Sequence, residues 1–70
     1  MFSAIPCLSV VMPVYNEEKT VSEVVKVVLA QPLVSELICV DDCSSDSTRR
    51  ILESMAVNEP RMQVLAHTGN

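Results

Sequence analysis

The sequence has no tryptophan and only one tyrosine, one phenylalanine and one glycine among its 70 residues. Any core must therefore be built mainly from Val, Leu, Ile and Met, which is typical of a sheet interior covered by helices. The single glycine, Gly69, excludes a dinucleotide-binding fold of the G-x-G-x-x-G type, because that motif needs glycines between its first strand and first helix. A chain of this length forms one small domain or part of a larger one.

Basic residues are also few, with five Lys and Arg against nine Asp and Glu and a formal net charge of -4. Nucleic acid is therefore not an expected partner, because binding it requires clustered positive charge to neutralise the phosphates. No uncharged apolar run reaches the ~20 residues of a membrane-spanning helix. The apolar N-terminal segment lacks the cationic start of a signal peptide, so a cytoplasmic location is expected.

The three cysteines, Cys7, Cys39 and Cys43, are odd in number and lack C-x-x-C spacing. This pattern argues against a disulfide framework or a zinc site. It predicts reduced thiols, as in cytosolic proteins.

The first part of the chain changes its hydrophobic period from that of a strand to that of a helix. Leu8–Val14 is short, apolar and β-branched, which predicts a strand buried on both faces. From Val21 to Leu29, apolar residues recur at i, i+3, i+4, i+7 and i+8, which predicts an amphipathic helix.

The same alternation continues in the second part of the chain. Residues 37–40 predict a second strand and residues 62–66 a third, with a helix between them that begins from an N-cap at Ser45 or Asp46. The order of strand, helix, strand, helix and strand predicts an α/β fold, with a three-stranded parallel sheet and two helices packed on it. An unpaired edge of such a sheet favours self-association.

Two polar segments, PVYNEE and DDCSSDS, follow the ends of the first and second strands. Ligands of open α/β sheets bind outside the carboxyl ends of the strands, so Tyr15, Asn16, Glu17, Asp41 and Asp42 are expected to line one crevice. Ionised carboxylates only accept hydrogen bonds, and a nucleotide offers them base N–H groups, ribose hydroxyls and a phosphate-bound metal. Neighbouring strand residues point to opposite faces, so one aspartate is available to a ligand while the other organises the following loop.

The same acidic residues also fit a different role. They are suited to a capping cluster that complements the dipole of the following helix, and spacing alone does not separate the two interpretations. His67, the only histidine, is interpreted as a loop residue rather than as a ligand or a base.

The segments LSVVMPVYNEEKTV and ELICVDDCSSDSTRRIL resemble the start of glycosyltransferase family 2, whose members have a GT-A fold and use nucleotide-activated sugars. The resemblance covers nearly the whole chain. It implies that residues 1–70 form the N-terminal, Rossmann-like, nucleotide-binding portion of a glycosyltransferase domain. The form PVYNEE is most similar to enzymes that load mannose or glucose onto a polyprenyl or dolichyl phosphate.

The resemblance also implies a nucleotide pocket in this chain. One part of the pocket lies on the first strand and its exit, and the other lies at the end of the second strand. The matching positions are Pro13, Tyr15, Glu17, Val40, Asp42 and, as the neighbour of the last, Asp41.

The sequence departs from the family pattern at two positions, because the family usually has glycine where Cys43 and Ser47 stand. The backbone of this loop must therefore avoid positive φ at these residues or accept strain there.

The resemblance implies a UDP- or GDP-sugar donor, an acceptor such as polyprenyl phosphate at a membrane, and Mg²⁺ or Mn²⁺ in the full-length parent. The family's metal-binding D-x-D segment, its base and its acceptor pocket lie downstream of the third strand. No catalytic or metal-binding residue is therefore predicted in this chain, which is expected to be inactive alone. The alternative is a non-catalytic α/β module used for folding or interaction, in which DDCSSDS serves only as a helix cap.

Overall fold

The computed structural model describes residues 8–67 of the chain. Cys7, Gly69 and the apolar residues that precede Leu8 lie outside the described residues. The described chain alternates between strands and helices, as the sequence predicts. Its elements are β1 (Leu8–Val14), α1 (Val21–Leu29), β2 (Val34–Asp42), α2 (Thr48–Ala56) and β3 (Met62–His67).

The three strands form one sheet in the order β1-β2-β3, and both pairs of neighbours are parallel. The two helices pack on the same face of this sheet. Val21 and Val25 of α1 share a buried core with Leu52 of α2 and with Leu37 and Cys39 of β2. The predicted α/β fold, a three-stranded parallel sheet with two helices, is confirmed.

β2 is longer than its apolar run predicts, because it spans Val34–Asp42 rather than residues 37–40. Its first residue pairs with Leu8 of β1, and its last pairs with His67 of β3. Backbone hydrogen bonding to β1 and β3 therefore extends the strand over polar residues whose side chains do not favour strand structure.

The start of α2 also differs from the expectation. The helix begins at Thr48, with Ser47 as its N-cap, so the predicted caps Ser45 and Asp46 are wrong by one or two positions. The physical reason is a local turn, in which Oδ1 of Asp46 accepts a hydrogen bond from the backbone N–H of Thr48 at 2.9 Å. Asp46 thus satisfies a helical N–H from outside the helix, as Asp often does in turns.

The two faces of the sheet have different environments. Along β2, Leu37, Cys39 and Asp41 are buried under the helices, whereas the alternate positions Val40 and Asp42 are half-buried and exposed. No helix of the described part covers this second face. The strand alternation thus leaves one face of the sheet accessible. The prediction that β1 is buried on both faces is therefore wrong for the described residues, because the helices cover only one face and Val11 is 62% exposed on the other.

The two described cysteines are free thiols in different surroundings. Cys39 is buried in the core, and this burial raises the pKa of its thiol to about 11. Because the thiolate is the reactive form, Cys39 acts as a small apolar packing residue at neutral pH. Cys43 is exposed in the loop that follows β2.

Both described helices are nine residues long, and neither meets the length and apolarity that crossing a membrane requires.

Candidate functional site

The segments that follow β1 and β2 lie against each other at the carboxyl end of the sheet. Their contacts are reciprocal, because each segment offers backbone N–H groups to side chains of the other. The hydrogen bonds run from Asn16 N to Ser44 Oγ (2.9 Å), Glu17 N to Thr48 Oγ1 (2.8 Å), Glu18 N to Asp46 Oδ2 (3.3 Å), Ser45 N to Asn16 Oδ1 (2.8 Å) and Ser47 N to Glu18 Oε1 (2.8 Å).

Two residues of these segments adopt a left-handed backbone, Asn16 with φ 48° and Cys43 with φ 59°. Asn tolerates this conformation, but for Cys43 it costs about 1–2 kcal/mol relative to glycine. The turn over Cys43 is closed by Oδ2 of Asp41, which accepts from the N–H of Ser44 at 3.3 Å. Of the two positions where the family usually has glycine, Cys43 accepts the strain and Ser47, with φ -85°, avoids it.

The two adjacent aspartates point in opposite directions. Asp41 lies on the helix-covered face and is 2% exposed. Its Oδ1 atom has no hydrogen-bond partner within the described residues, and its Oδ2 atom holds the loop. Asp42 lies on the accessible face, with a side chain that is 61% exposed. The geometry therefore makes Asp41 the organiser of the loop and leaves the carboxylate of Asp42 exposed to solvent.

The interpretation of His67 as a loop residue is wrong, because His67 is the last residue of β3 and the register partner of Asp42. Its Nδ1 atom lies 2.9 Å from Oδ1 of Asp42. Since an ionised carboxylate only accepts, Nδ1 carries the hydrogen of this bond. Sequence reasoning had no local signal for the contact, since it depends on the register of β3 against β2.

Several predicted site residues share the accessible face of the sheet. Pro13 of β1 pairs in register with Val40 of β2, which pairs with Leu65 of β3. This row forms an apolar floor directly below Asp42, and sequence reasoning missed the contribution of Leu65, which is 46% exposed. Tyr15 follows Pro13 by two positions and is 56% exposed. The floor, Tyr15 and the Asp42–His67 pair together form a surface that is open to solvent.

Glu17 lines a separate groove, to which none of the three floor residues contributes. Its backbone N–H is already engaged by Thr48. This groove has a volume of about 330 Å³ and is formed mostly by the first loop, residues 15–20 between β1 and α1. Its lining consists of Asn16, Glu17, Glu18, Lys19, Thr20 and Asp46. The structure thus places Glu17 in the same loop as Tyr15 but next to the helix start rather than on the floor.

The pKa of the Asp46 carboxyl is lowered by its hydrogen bonds. The hydroxyl of Thr48 donates to its carboxylate and lowers its pKa, and the backbone N–H groups of Thr48 and Glu18 act in the same direction. Asp46 is therefore ionised at neutral pH, as its role as acceptor of three hydrogen bonds requires.

The described residues contain no complete set of protein ligands for a divalent metal ion. No group of three or more His, Cys, Asp or Glu side chains between residues 8 and 67 has the arrangement of a metal site. Asp42 and His67 supply one carboxylate and one imidazole, whereas Mg²⁺ requires near-octahedral coordination, mostly by oxygen.

A larger groove of about 620 Å³ lies at the opposite, amino-terminal end of the strands. It is lined mostly by apolar residues of β1, α1, the turn between α1 and β2 and the start of β2, together with Gln31 of that turn. None of the predicted site residues contributes to it. This groove is thus separate from the polar segments.

Comparison with known proteins agrees with the family resemblance seen in the sequence. Residues 9–70 match the family model described as glycosyl transferase family 2. The chain is 38% identical over 68 residues to an uncharacterized protein of Sinorhizobium fredii, covering 93% of this chain and 8% of that protein. It is 33% identical over 67 residues to a bactoprenol glucosyl transferase of Shigella phage SfV, covering 90% of this chain and 22% of the relative.

A chondroitin synthase of Escherichia coli is 33% identical over 63 residues, which cover 89% of this chain and 9% of the synthase. The chain therefore spans less than a quarter of the length of each of these relatives. No solved structure gave a significant match.

Proposed function

Since the chain belongs to glycosyltransferase family 2, we propose that it is the nucleotide-binding part of an enzyme that transfers a sugar from a UDP- or GDP-sugar to an acceptor. The observation that carries this proposal is the position of Asp42. Its carboxylate stands at the carboxyl end of the sheet, exposed, directly above the apolar floor of Pro13, Val40 and Leu65. That is where ligands of open α/β sheets bind.

The surroundings of Asp42 suit a nucleoside. Oδ1 accepts from His67, and Oδ2 has no partner among the described residues, so it can accept from a base N–H or a ribose hydroxyl. The exposed ring of Tyr15 offers a face on which a base can stack. In this arrangement the floor contacts the apolar face of the nucleoside, and Asp42 contributes a directional hydrogen bond.

The acceptor and the metal belong to the whole protein. The name of the phage relative, bactoprenol glucosyl transferase, is the reason to propose a polyprenyl phosphate acceptor and hence a membrane-associated parent. We propose that Mg²⁺ or Mn²⁺ is held mainly by residues outside the described part of the chain, because residues 8–67 contain no group of three or more potential ligand side chains. The free thiols of Cys39 and Cys43 support a cytoplasmic location.

Nucleotide titration of the 70-residue chain tests the proposal. Tyr15 is the only tyrosine, so its ring protons are assigned without ambiguity in an NMR spectrum. UDP or GDP is expected to shift these protons and the amides of Asp42 and His67 saturably, since a stacked base changes the local ring current. The amides of Leu8 and Val34, at the far end of the sheet, serve as internal controls and should not move.

A folded chain without saturable shifts from either nucleotide would contradict the proposal. It would favour the alternative of a non-catalytic fold or interaction module. The observation behind this alternative is that the two loops already satisfy each other's hydrogen bonds without a ligand.

We further propose that two copies of the chain associate through an exposed sheet edge. Within the described residues, β1 and β3 each pair on one side only, and Leu8 and Val11 on β1 are 49% and 62% exposed. Unpaired strand edges of this kind promote association between chains. Sedimentation equilibrium should show a mass that rises with concentration, and a monomer at all concentrations would reject the contact.

A further inference from the structure

We propose that Asp46 and Thr48 form a latch that holds residues 15–18 in the shape required for nucleotide binding, with Thr48 as a positioning residue. The inference deepens the proposed function and rests on it for the identity of the ligand. The latch consists of the Asp46 carboxylate, the Thr48 hydroxyl, and the backbone N–H groups of Glu17 and Glu18.

Thr48 is the central member of the latch. It is the first residue of α2 and has no exposed surface. Its hydroxyl accepts from the N–H of Glu17 at 2.8 Å and donates to Oδ1 of Asp46. A hydroxyl both donates and accepts, so it can join an N–H group to a carboxylate. A purely apolar residue of the same shape can do neither.

Asp46 extends the connection to the next residue of the first loop. Its Oδ2 atom accepts from the N–H of Glu18 at 3.3 Å, while its Oδ1 atom accepts from the N–H and the hydroxyl of Thr48. One carboxylate therefore spans the start of α2 and the turn after β1. The lowered pKa of Asp46 keeps these acceptors ionised at neutral pH.

The latch acts on the residues that carry the binding surface. Glu17 and Glu18 follow Tyr15 and Asn16 directly, and Asn16 is held in a left-handed conformation with φ 48°. If the N–H groups of Glu17 and Glu18 were released, this turn would gain alternative conformations and Tyr15 would lose its orientation. The entropy of ordering the loop would then oppose each binding event, and a pre-organised loop avoids that cost.

Two substitutions at Thr48 separate the hydroxyl from the packing. Thr48→Val keeps the shape and removes the hydroxyl, so it leaves the N–H of Glu17 unpaired, and we expect UDP or GDP affinity to fall about ten-fold. Thr48→Ser restores the hydroxyl and should bind within about two-fold of the unsubstituted chain, since its two latch hydrogen bonds are retained. Affinities are measured by calorimetry well below the melting temperature of the least stable variant.

Because Thr48 is buried, its substitution is expected to lower the stability of the fold, and a matched control is needed for that effect. Val25→Ala removes buried volume from α1 in the same core, and no part of the latch is altered. Val25→Ala should lower the melting temperature but leave affinity unchanged. The latch would be overturned by any of three results. Thr48→Val could bind nucleotide as tightly as the unsubstituted chain, Val25→Ala could lose as much affinity as Thr48→Val, or Thr48→Ser could fail to restore affinity.

Hydrogen exchange distinguishes failure of the latch from failure of the proposed function, because it requires no ligand. In Thr48→Val, the amides of Glu17 and Glu18 should exchange faster than in Val25→Ala, relative to the core amide of Leu37. If the unsubstituted chain binds no nucleotide, the proposed function fails, and selective exchange at Glu17 and Glu18 then shows that Thr48 orders the turn, without a role in nucleotide binding. Uniform exchange rates across these variants would reject the latch, whether or not nucleotide binds.

Discussion

Asp42→Asn is expected to weaken UDP or GDP binding by about 1–3 kcal/mol, or roughly 5- to 150-fold in Kd. The substitution preserves the size of the side chain but replaces an ionised acceptor with a neutral amide. A hydrogen bond to a charged group is worth more than one between neutral groups, so the loss is larger than for an ordinary surface contact. Calorimetric titration of both forms of the chain gives the difference directly.

The fold should tolerate this change, since the side chain of Asp42 is 61% exposed and its pair with His67 is a surface contact. Glu36→Gln provides the matched control, because it also removes one negative charge from β2 but at the opposite end of the strand, where Glu36 accepts from Ser9. The control should bind as the unsubstituted chain does. Equal affinity of Asp42→Asn, with its melting temperature retained, would contradict a role of Asp42 in nucleotide binding and leave it only the surface contact with His67.

The 70-residue chain, assayed as the only polypeptide, is expected to transfer no sugar. Residues 8–67 carry one side of the proposed nucleotide site, and they contain no group of three or more side chains arranged to hold a metal ion. His67 is the only histidine, and it is already engaged by Asp42, so it is not placed as a base for an acceptor. A bound metal lowers the activation free energy of such reactions by several kcal/mol. A chain that does not bind the metal is therefore expected to react only at the background rate.

The assay combines radiolabelled UDP- and GDP-sugars with a polyprenyl phosphate and either Mg²⁺ or Mn²⁺. A longer protein that contains this chain is expected to form labelled lipid under the same conditions and to lose that activity with EDTA. Metal-dependent turnover by residues 1–70 alone would show that the catalytic groups are placed wrongly. A longer protein active without metal would contradict only the proposed cofactor.

The element types followed from local patterns. The apolar run of β1 and the helical spacing of α1 are properties of short segments, and the structure has β1 at Leu8–Val14 as predicted. The ends of β2 and the start of α2 depend on contacts with distant residues. β2 extends to Asp42 because His67 pairs with it, and α2 starts at Thr48 because the turn at Asp46 precedes it.

By itself the sequence determined that two polar loops would meet at one end of a parallel sheet, and that the two aspartates would face opposite sides of it. Both follow from strand geometry, which is independent of the rest of the molecule. Only the tertiary structure decided which aspartate is accessible, since that depends on the face of the sheet that the helices cover. Asp41 lies on the face that α1 and α2 cover and is buried, whereas Asp42 lies on the opposite face and is open to solvent.

The contact between Asp42 and His67 and the latch at Thr48 were likewise decided by tertiary structure. Each joins residues that are 25 or 31 positions apart in the chain. Strand register brings Asp42 to His67, and the approach of the two loops brings Thr48 to Glu17. Neither contact produces a periodic pattern that could be recognised in the sequence. Local residue preferences thus determined the elements and their order, whereas long-range pairing decided which side chains meet at the site.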